Sequence, residues 1–234
     1  LDAKEEVMFD CNEMSKGKSY FNLSGINVSE DNKYAAFGVD LVSRRQYIIQ
    51  IKNLETGEIL SEKIENTTGG STWASDNKTL FYTLKDAKTL RSDKIYKHTL
   101  GTEPSADVMV YHEKDDTFYT FVYKEKSKKY LVIGSTSTLT SEYQILESNN
   151  PDGEFRYFQK RQRGLEYSIS HFNDSFYVVT NKDKATNFKL MKTPENATAK
   201  GNWTELIPHR DDVLLEDIEI FKNFLIMSKK LLTK

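Results

Sequence analysis

Short runs of alternating apolar and polar residues, separated by Asp-Asn turns, recur along the chain. The clearest copy is the turn 29–33 followed by 34–38, and it returns as the turn 75–78 followed by 79–83. Asp and Asn tolerate left-handed backbone and bond their own main chain, so each copy predicts a β-hairpin. Weaker copies follow in the second half of the chain.

The repeat length identifies the kind of β-structure. The marker residues of the five turns, Asp31, Asp76, Ser127, Asp174 and Asn223, lie 45 to 51 residues apart. This is the length of one four-stranded propeller blade, whereas helical repeats are shorter and need a 3.6-residue apolar period. An ordinary sandwich with regularly spaced short strands is the alternative. We therefore predict an all-β chain that forms part of a β-propeller, with the strand before each marker turn innermost.

The blade boundaries follow from the turns. Whole blades are expected at 25–65, 71–111, 117–158 and 167–207, with partial blades at 1–24 and 213–234. Each whole blade is predicted to be a separate antiparallel four-stranded sheet. The first should end with an outer strand at 59–64. The second should begin with an inner strand at 71–74, which buries Trp73 between neighbouring blades.

The residues ahead of the first repeat predict two short elements. Residues 5–10 read as a strand. Residues 12–16 form a single helical turn, and Gly17 ends it at the position that a left-handed cap requires.

Composition and charge narrow the functional classes. The chain has 234 residues, which is sufficient for one large all-β domain. Its net charge of −2 indicates neither a nucleic-acid partner nor an anionic membrane surface. The longest apolar runs are far below the roughly 20 residues of a membrane helix. The single cysteine, Cys11, excludes an internal disulfide and suits a reducing, cytoplasmic compartment. The start at Leu1, without Met or a signal peptide, suggests a mature form or an excised fragment.

Isolated reactive residues do not form an evident catalytic or metal-binding motif. Gly69-Gly70-Ser71 resembles a nucleophile turn, but Thr72-Trp73 follows where small residues and a helix are needed, so Ser71 is expected in a strand. The four His are not clustered, which gives no metal site and no expected cofactor. The carboxylate pairs and basic runs are expected on solvated loops and edges; they are 115–116, 211–212, 124–129 and 160–163.

Several stretches together carry a resemblance to a known family. They are 9–14, 29–33, 39–47, 52–58, 76–83, 115–119, 166–169 and 207–210. With these residues the chain resembles the propeller domain of the prolyl oligopeptidase family of serine peptidases, and within it the oligopeptidase B group, also called protease II. The resemblance covers nearly the whole chain.

The resemblance implies an architecture and a function. Members of the family carry a seven-bladed propeller over an α/β-hydrolase domain, so this chain would supply about four and a half blades. The hydrolase domain and its Ser-Asp-His triad have no counterpart here, so no catalytic residue is carried over and the chain alone is expected to be inactive. The implied partners are the hydrolase domain of the same polypeptide and short peptides, which the family cleaves after Lys or Arg.

One pair of residues inside the resembling stretches is a candidate contact site. Arg44 and Arg45 follow a predicted second strand and could make forked bonds to carboxylates of a substrate or of the hydrolase domain. A loop pair in water is the alternative. Open strand edges at both ends also predict self-association.

A free-standing propeller that binds proteins is the rival function. The Trp-Asp and Gly-His pairs of such repeats are absent from the sequence, and Gly-Gly occurs once. A sugar-processing propeller is a third reading, but no carboxylate pair recurs between the blades.

Overall fold

The computed structural model describes residues 4–232 and is almost entirely antiparallel β-structure, with 50% of residues in strands and 6% in helices. The chain divides into two compact units, one ending at Tyr123 and the other starting at Lys124. This low helical content agrees with the all-β fold class that the period-two pattern predicts. No helix of the described part of the chain is long and apolar enough to span a membrane.

The first unit is built on one seven-stranded sheet with the strands in chain order. Every neighbouring pair is antiparallel, as hairpin connections require. The strands are β1 (Asn22–Val28), β2 (Tyr34–Asp40), β3 (Tyr47–Asn53), β4 (Ile64–Trp73), β5 (Thr79–Lys85), β6 (Ser92–Thr99) and β7 (Val108–His112).

Strand β4 joins the two repeats that the sequence predicts as separate sheets. Its first half pairs with β3 through Ile49↔Ile64, and its second half pairs with β5 through Trp73↔Leu80. The expected outer strand at 59–64 is therefore wrong; Ile59 forms only an isolated bridge with Lys52. The ladder shifts register between Thr67 and Ser71, and Gly69 at φ +88° lets the strand turn there without breaking.

The core of the first unit lies between these two repeats. Trp73 is 1% exposed and packs with Ile49, Ile51 and Leu80. Its indole Nε1 donates to the carbonyl of Asn27 on β1 at 3.0 Å, which satisfies the polar end of the buried ring. The prediction that Trp73 is buried between neighbouring repeats is confirmed.

Four of the five marker turns contain a residue with left-handed backbone, and in three of them it is an Asn, which tolerates that backbone. Asn32 and Asn77 in the first unit and Lys128 and Asn173 in the second all have φ between +53° and +62°. The first two turns also touch, because the Asp31 amide donates to Asn77 Oδ1 at 3.1 Å. Backbone and side-chain donors to Asp76, and the Ser29 hydroxyl on Asp31, hold the pKa of both carboxyls below the usual range.

The residues ahead of β1 differ in part from the prediction. Residues 5–10 do not form the expected strand; Phe9 instead packs its ring against Phe37 with centroids 4.6 Å apart. Asp10 caps the short helix α1 (Cys11–Ser15) by accepting from the amides of Asn12 and Glu13. Because Asp10 caps α1, the chain enters a helix here and does not go on into a paired strand. Gly17 follows at φ +70°, so the helical turn and its glycine stop are confirmed.

The division between the units falls inside β8 (Tyr119–Lys124), the edge strand of a four-stranded sheet in the order β11-β10-β9-β8. A second four-stranded sheet runs β12 to β15 in chain order, and β16 and β17 form a two-stranded hairpin. The bounds are β9 (Tyr130–Thr136), β10 (Ser141–Glu147), β11 (Arg156–Gln159), β12 (Tyr167–Phe172), β13 (Ser175–Thr180), β14 (Lys189–Pro194), β15 (Thr204–Ile207), β16 (Val213–Ile220) and β17 (Leu225–Leu231). These sheets match the third and fourth predicted repeats and the start of a fifth.

Aromatic side chains form much of the core of the second unit. Phe158 contacts Tyr167, Phe176 and Trp203 with ring centroids 5.0 to 6.2 Å apart. Trp203 Nε1 donates to the Thr198 carbonyl at 2.7 Å. These contacts join β11 to the following sheet, in the way that Trp73 joins two repeats in the first unit.

Candidate functional site

The predicted arginine pair lies in the loop between β2 and β3, and a buried carboxylate sets the shape of this loop. Asp40, the last residue of β2, is 1% exposed. Its Oδ1 accepts from the Val42 amide at 2.9 Å and its Oδ2 accepts from the Arg45 amide at 2.7 Å. Hydrogen bonds to the ionised form are the interactions that make a buried carboxylate tolerable. Asp40 therefore fixes the loop 41–46 from inside.

The backbone of the loop is held in an uncommon conformation. Ser43 and Arg45 have φ of +59° and +54°, in the left-handed region. Such conformations cost about 1 kcal/mol or more for residues other than Gly, and they persist where surrounding bonds determine them. The two bonds to Asp40 supply that constraint.

The two guanidinium groups are exposed and free to bind. Arg44 and Arg45 are both exposed, and within residues 4–232 no acceptor or carboxylate meets either guanidinium. A guanidinium presents a planar fork of donors that matches a carboxylate. The contact role of the pair stays a prediction, and the exposure of both groups is compatible with it.

A third cation lies beside the arginine pair. Lys85, at the end of β5, donates from Nζ to the Arg45 carbonyl. Burial, reinforced by the positive charge of Arg45, lowers the pKa of Lys85, while the Asp40 carboxylate acts in the opposite direction. The loop is thus anchored to the second repeat, and the local charge is positive.

The far end of the loop is anchored by Tyr47. Its hydroxyl donates to Asn22 Oδ1 at 2.9 Å, and burial raises the pKa of Tyr47, with Asp40 adding to the effect. The ring lies against Gly69 so closely that a Cβ on Gly69 would be 2.7 Å from Tyr47 Cγ. Both ends of the arginine loop therefore rest on packed strands.

Among the other reactive residues, Ser71 lies in a strand as expected, and two members of the basic runs have ion-pair partners that the sequence did not predict. Ser71 is on β4 with its hydroxyl buried and without a partner among the described residues, and Cys11 is exposed on α1. No group of three or more His, Cys, Asp or Glu side chains in the described chain has metal-site geometry. Members of the two basic runs are not merely solvated, because Lys129 pairs with Glu195 at 2.6 Å and Arg161 with Glu142 at 3.0 Å.

Sequence reasoning did not identify two buried histidine networks. His98 Nδ1 lies 2.7 Å from Asp107 Oδ1, and the Tyr82 hydroxyl donates to the other oxygen of Asp107 at 2.9 Å. Burial together with the Asp107 charge strongly raises the pKa of Tyr82. The three residues lie 9 to 25 positions apart in sequence and come together only through strand pairing, so no local motif indicates them.

The second network is in the second unit. His171 Nδ1 lies 2.8 Å from Ser127 Oγ, and His171 Nε2 lies 2.9 Å from Glu195 Oε2. Lys129 and Tyr130 also donate to Glu195, and these bonds hold the pKa of its carboxyl low. The network ties the turn before β9 to β12 and to the residue after β14.

The family described as "Prolyl oligopeptidase, N-terminal beta-propeller domain" matches residues 1–231, so the chain belongs to this family of β-propeller domains. The chain is 38% identical over 228 residues to dipeptidyl aminopeptidase BI of Pseudoxanthomonas mexicana, covering 97% of this chain and 31% of that protein. It is 29% identical to protease 2 of Moraxella lacunata, covering 97% of this chain and 33% of the relative.

Solved structures agree with the family. Oligopeptidase B from Leishmania major superposes with a TM-score of 0.91 at 28% identity, covering 97% of this chain and 32% of that chain. Oligopeptidase B from Trypanosoma brucei, solved in a closed form with covalently bound antipain, superposes with a TM-score of 0.86 at 29% identity and the same coverage. The chain therefore spans about a third of the length of these relatives. The predicted resemblance to the prolyl oligopeptidase family and its oligopeptidase B group is confirmed.

Proposed function

We propose that this chain is the non-catalytic, substrate-gating propeller region of an oligopeptidase B-like serine endopeptidase. It admits short, flexible peptides to an α/β-hydrolase domain of the same polypeptide and excludes folded proteins by size. The family match over residues 1–231, to relatives about three times as long, supports this proposal. By the same analogy the complete enzyme cleaves after Lys or Arg. The exposed free thiol of Cys11 is compatible with a location in the reducing cytoplasm.

The proposal assigns no chemistry to this chain. Acyl transfer needs a nucleophile, a base and oxyanion donors within hydrogen-bond reach of one another. The Ser71 hydroxyl is buried in a strand without a base. Ser127 does meet His171, but Glu195 in that network also carries the Lys129 and Tyr130 bonds that hold the turn.

The first test is hydrolysis of a fluorogenic Arg-Arg peptide by the 234-residue chain. We expect no turnover above the buffer rate. Ser71→Ala and Ser127→Ala are the matched controls, because a rate that either substitution abolishes would place a working nucleophile in this chain and contradict the proposal.

A second part of the proposal concerns the two exposed arginines of the loop 41–46. We propose that Arg44 and Arg45 bind carboxylates of the peptide or of the hydrolase domain across the cavity. In the complete peptidase, R44Q/R45Q should raise KM for peptides about tenfold, or weaken domain closure to a similar extent, since hydrogen bonds to charged groups contribute about 1.5 to 3 kcal/mol. Steady-state kinetics at two salt concentrations is the measurement.

The control for this prediction is Lys88→Gln. Lys88 is an exposed cation in the turn after β5, at the same end of the sheet. An equal rise in KM for K88Q and R44Q/R45Q would show that the effect comes from general surface charge and not from specific arginine contacts. No change in R44Q/R45Q would remove the contact role.

A further inference from the structure

A pocket of about 440 Å³ opens in the first unit between two loops of neighbouring repeats. One wall is the segment that follows β3, held by the bond from the Leu60 amide to the Ile51 carbonyl at 2.8 Å. The other wall follows β6, held by the bond from the Leu100 amide to the Lys78 carbonyl at 2.9 Å. Both walls are fixed by main-chain bonds, so the pocket is formed without a ligand.

The pocket contains a buried carboxylate that is only half satisfied. Glu62 is 9% exposed, and its Oε1 accepts from the Gly101 amide at 2.7 Å. Glu62 Oε2 has no hydrogen-bond partner among residues 4–232, and it is not among the fully buried unpaired atoms, so it remains accessible from the pocket. A desolvated carboxylate is stabilised by a cation or by further donors. Glu62 Oε2 is therefore a strong acceptor that is available to a ligand in the pocket.

The pocket has a second acidic group and no cation of its own. Glu103 lines the same space and is exposed. Within the described residues, neither Glu62 nor Glu103 makes an ion pair. Two carboxylates facing one space repel each other, and a bound cation relieves that repulsion.

Three large side chains with apolar surface also line the pocket, together with the small residues Ser61, Gly101 and Thr102. Tyr34, Leu60 and Leu100 line the pocket and are partly buried against the core around Trp73. An aliphatic stem that ends in a positive charge matches this combination, because the stem covers apolar surface while the head meets the carboxylates. A guanidinium also forms a forked pair with a carboxylate, and an aromatic face such as that of Tyr34 attracts cations.

We propose that this pocket, the Glu62 pocket, binds the side chain of an Arg or Lys residue of a peptide, with the guanidinium or ammonium group on Glu62 and the stem on Leu60 and Leu100. The pocket follows the ends of β3 and β6, whereas Arg44 and Arg45 precede β3. It is therefore at the opposite end of the strands from the arginine loop. Its occupation needs no hydrolysis and does not depend on the proposed function.

The test is an NMR titration of the 234-residue chain, with the Gly101 amide as reporter because it donates to Glu62. The probes are N-acetyl-arginine amide and its neutral analogue, N-acetyl-citrulline amide. We expect the Gly101 signal to shift and saturate with a Kd of about 1 mM for the arginine probe, as for a single small contact site. The citrulline probe should bind at least tenfold more weakly.

The variants locate the effect. Glu62→Gln keeps the oxygen that accepts from Gly101, so the fold is retained while the charge is lost, and binding should weaken at least tenfold. Glu103→Gln should weaken binding about threefold. Glu55→Gln, an exposed acid in the same loop that does not line the pocket, should leave Kd unchanged.

Three results would overturn the proposal. They are equal affinity for citrulline, equal weakening by Glu55→Gln and Glu62→Gln, and the absence of saturation up to about 50 mM probe. A pentapeptide with a central Arg separates the sources of the ligand. Affinity equal to that of the amide means that the side chain alone is recognised, and tighter binding means that the peptide backbone contributes as well; both results support the pocket.

Discussion

At the scale of single residues, His171 is the group whose environment has the clearest consequence for stability. Burial lowers its pKa, and the bond and charge of Glu195 oppose that shift without cancelling it. The ring contacts Ser127, Glu195 and the rings of Tyr130 and Phe176, and Glu125 accepts from the His171 amide at 3.0 Å. The positive charge of Lys129 also lowers the pKa of His171, as burial does. The negative charge of Asp174 raises it, as Glu195 does.

The direction of the pKa shift predicts acid destabilisation. In the unfolded chain His171 takes up a proton near pH 6.5, whereas in the folded chain it does so only at lower pH, so the unfolded state binds more protons in between. The contribution of neutral His171 is fully present above about pH 6.5 and is lost as the pH falls from there to the folded pKa. We expect the urea concentration at the unfolding midpoint to be lower at pH 5.5 than at pH 7.5.

Two substitutions check that the effect belongs to this residue. His171→Gln should reduce the difference in midpoint between the two pH values, because Gln does not titrate. His209→Gln, at a partly exposed histidine of the loop between β15 and β16, should leave the difference unchanged. An unaltered pH dependence in H171Q would show that other groups cause the acid sensitivity.

At the scale of elements, the bend in β4 makes a specific demand on side-chain volume. Gly69 has φ +88°, and a Cβ there would lie 2.7 Å from Tyr47 Cγ. Gly25 and Gly38 approach the same point, since their Cβ positions would be 2.1 Å from the Gly69 carbonyl oxygen and 2.5 Å from Gly69 Cα. Three glycines thus allow β4 to cross close to β1 and β2.

Gly69→Ala should therefore destabilise the chain by more than backbone strain alone. A left-handed alanine costs about 1 kcal/mol, and overpacking adds typically 1 to 3 kcal/mol. Gly57→Ala is the matched control, because Gly57 has φ +78° with nothing within 4 Å of the added Cβ. Urea unfolding should give a loss of about 1 kcal/mol for G57A and at least about 2 kcal/mol for G69A. Equal losses would show that the neighbours of Gly69 yield without cost.

The sequence predicted the hairpins of the fold but not the long strand β4 that two repeats share. The hairpins were predictable because Asp-Asn turns and period-two alternation are local, and the left-handed φ of Asn32 and Asn77 is what those residue types favour. The merging of 59–64 and 71–74 into one strand was not predictable, because it depends on a long-range pairing with β3 and β5.

The candidate site was predictable in the same limited sense. The position of Arg44 and Arg45 after a second strand followed from the hairpin pattern. The shape of their loop did not, because Ser43 and Arg45 are residue types that rarely adopt left-handed φ and do so here through the bonds to Asp40. The Glu62 pocket likewise requires two loops about 40 residues apart to meet.

At the scale of the whole molecule, the last hairpin has an open strand edge. Within the described residues β17 has β16 on one side and no strand on the other. Large apolar side chains are exposed on it and at the residue before it, with Phe224, Ile226 and Leu231 exposed by 60%, 52% and 75%. Unpaired edge amides beside exposed apolar groups favour pairing with another chain.

We propose that the 234-residue chain self-associates through this edge. Light scattering over a concentration series should give a mass that rises with concentration, and Ile226→Lys should reduce the rise, because a charged residue on an edge strand opposes pairing. Leu139→Lys, at an equally exposed position in the turn between β9 and β10, is the control. A monomer at every concentration up to about 100 μM, with slow exchange of the β17 amides, would contradict this proposal.

The strand shared by the first two repeats also determines where the polypeptide can be divided. A nick between residues 66 and 70 would sever β4 and leave each half-strand without its continuation, even though the sequence repeat suggests a boundary there. A nick in the turn at 149–154, by contrast, would interrupt no strand. Cleavage at a protease site inserted at 149–154 should therefore leave the fold intact, whereas cleavage at 66–70 should disrupt the first two repeats together.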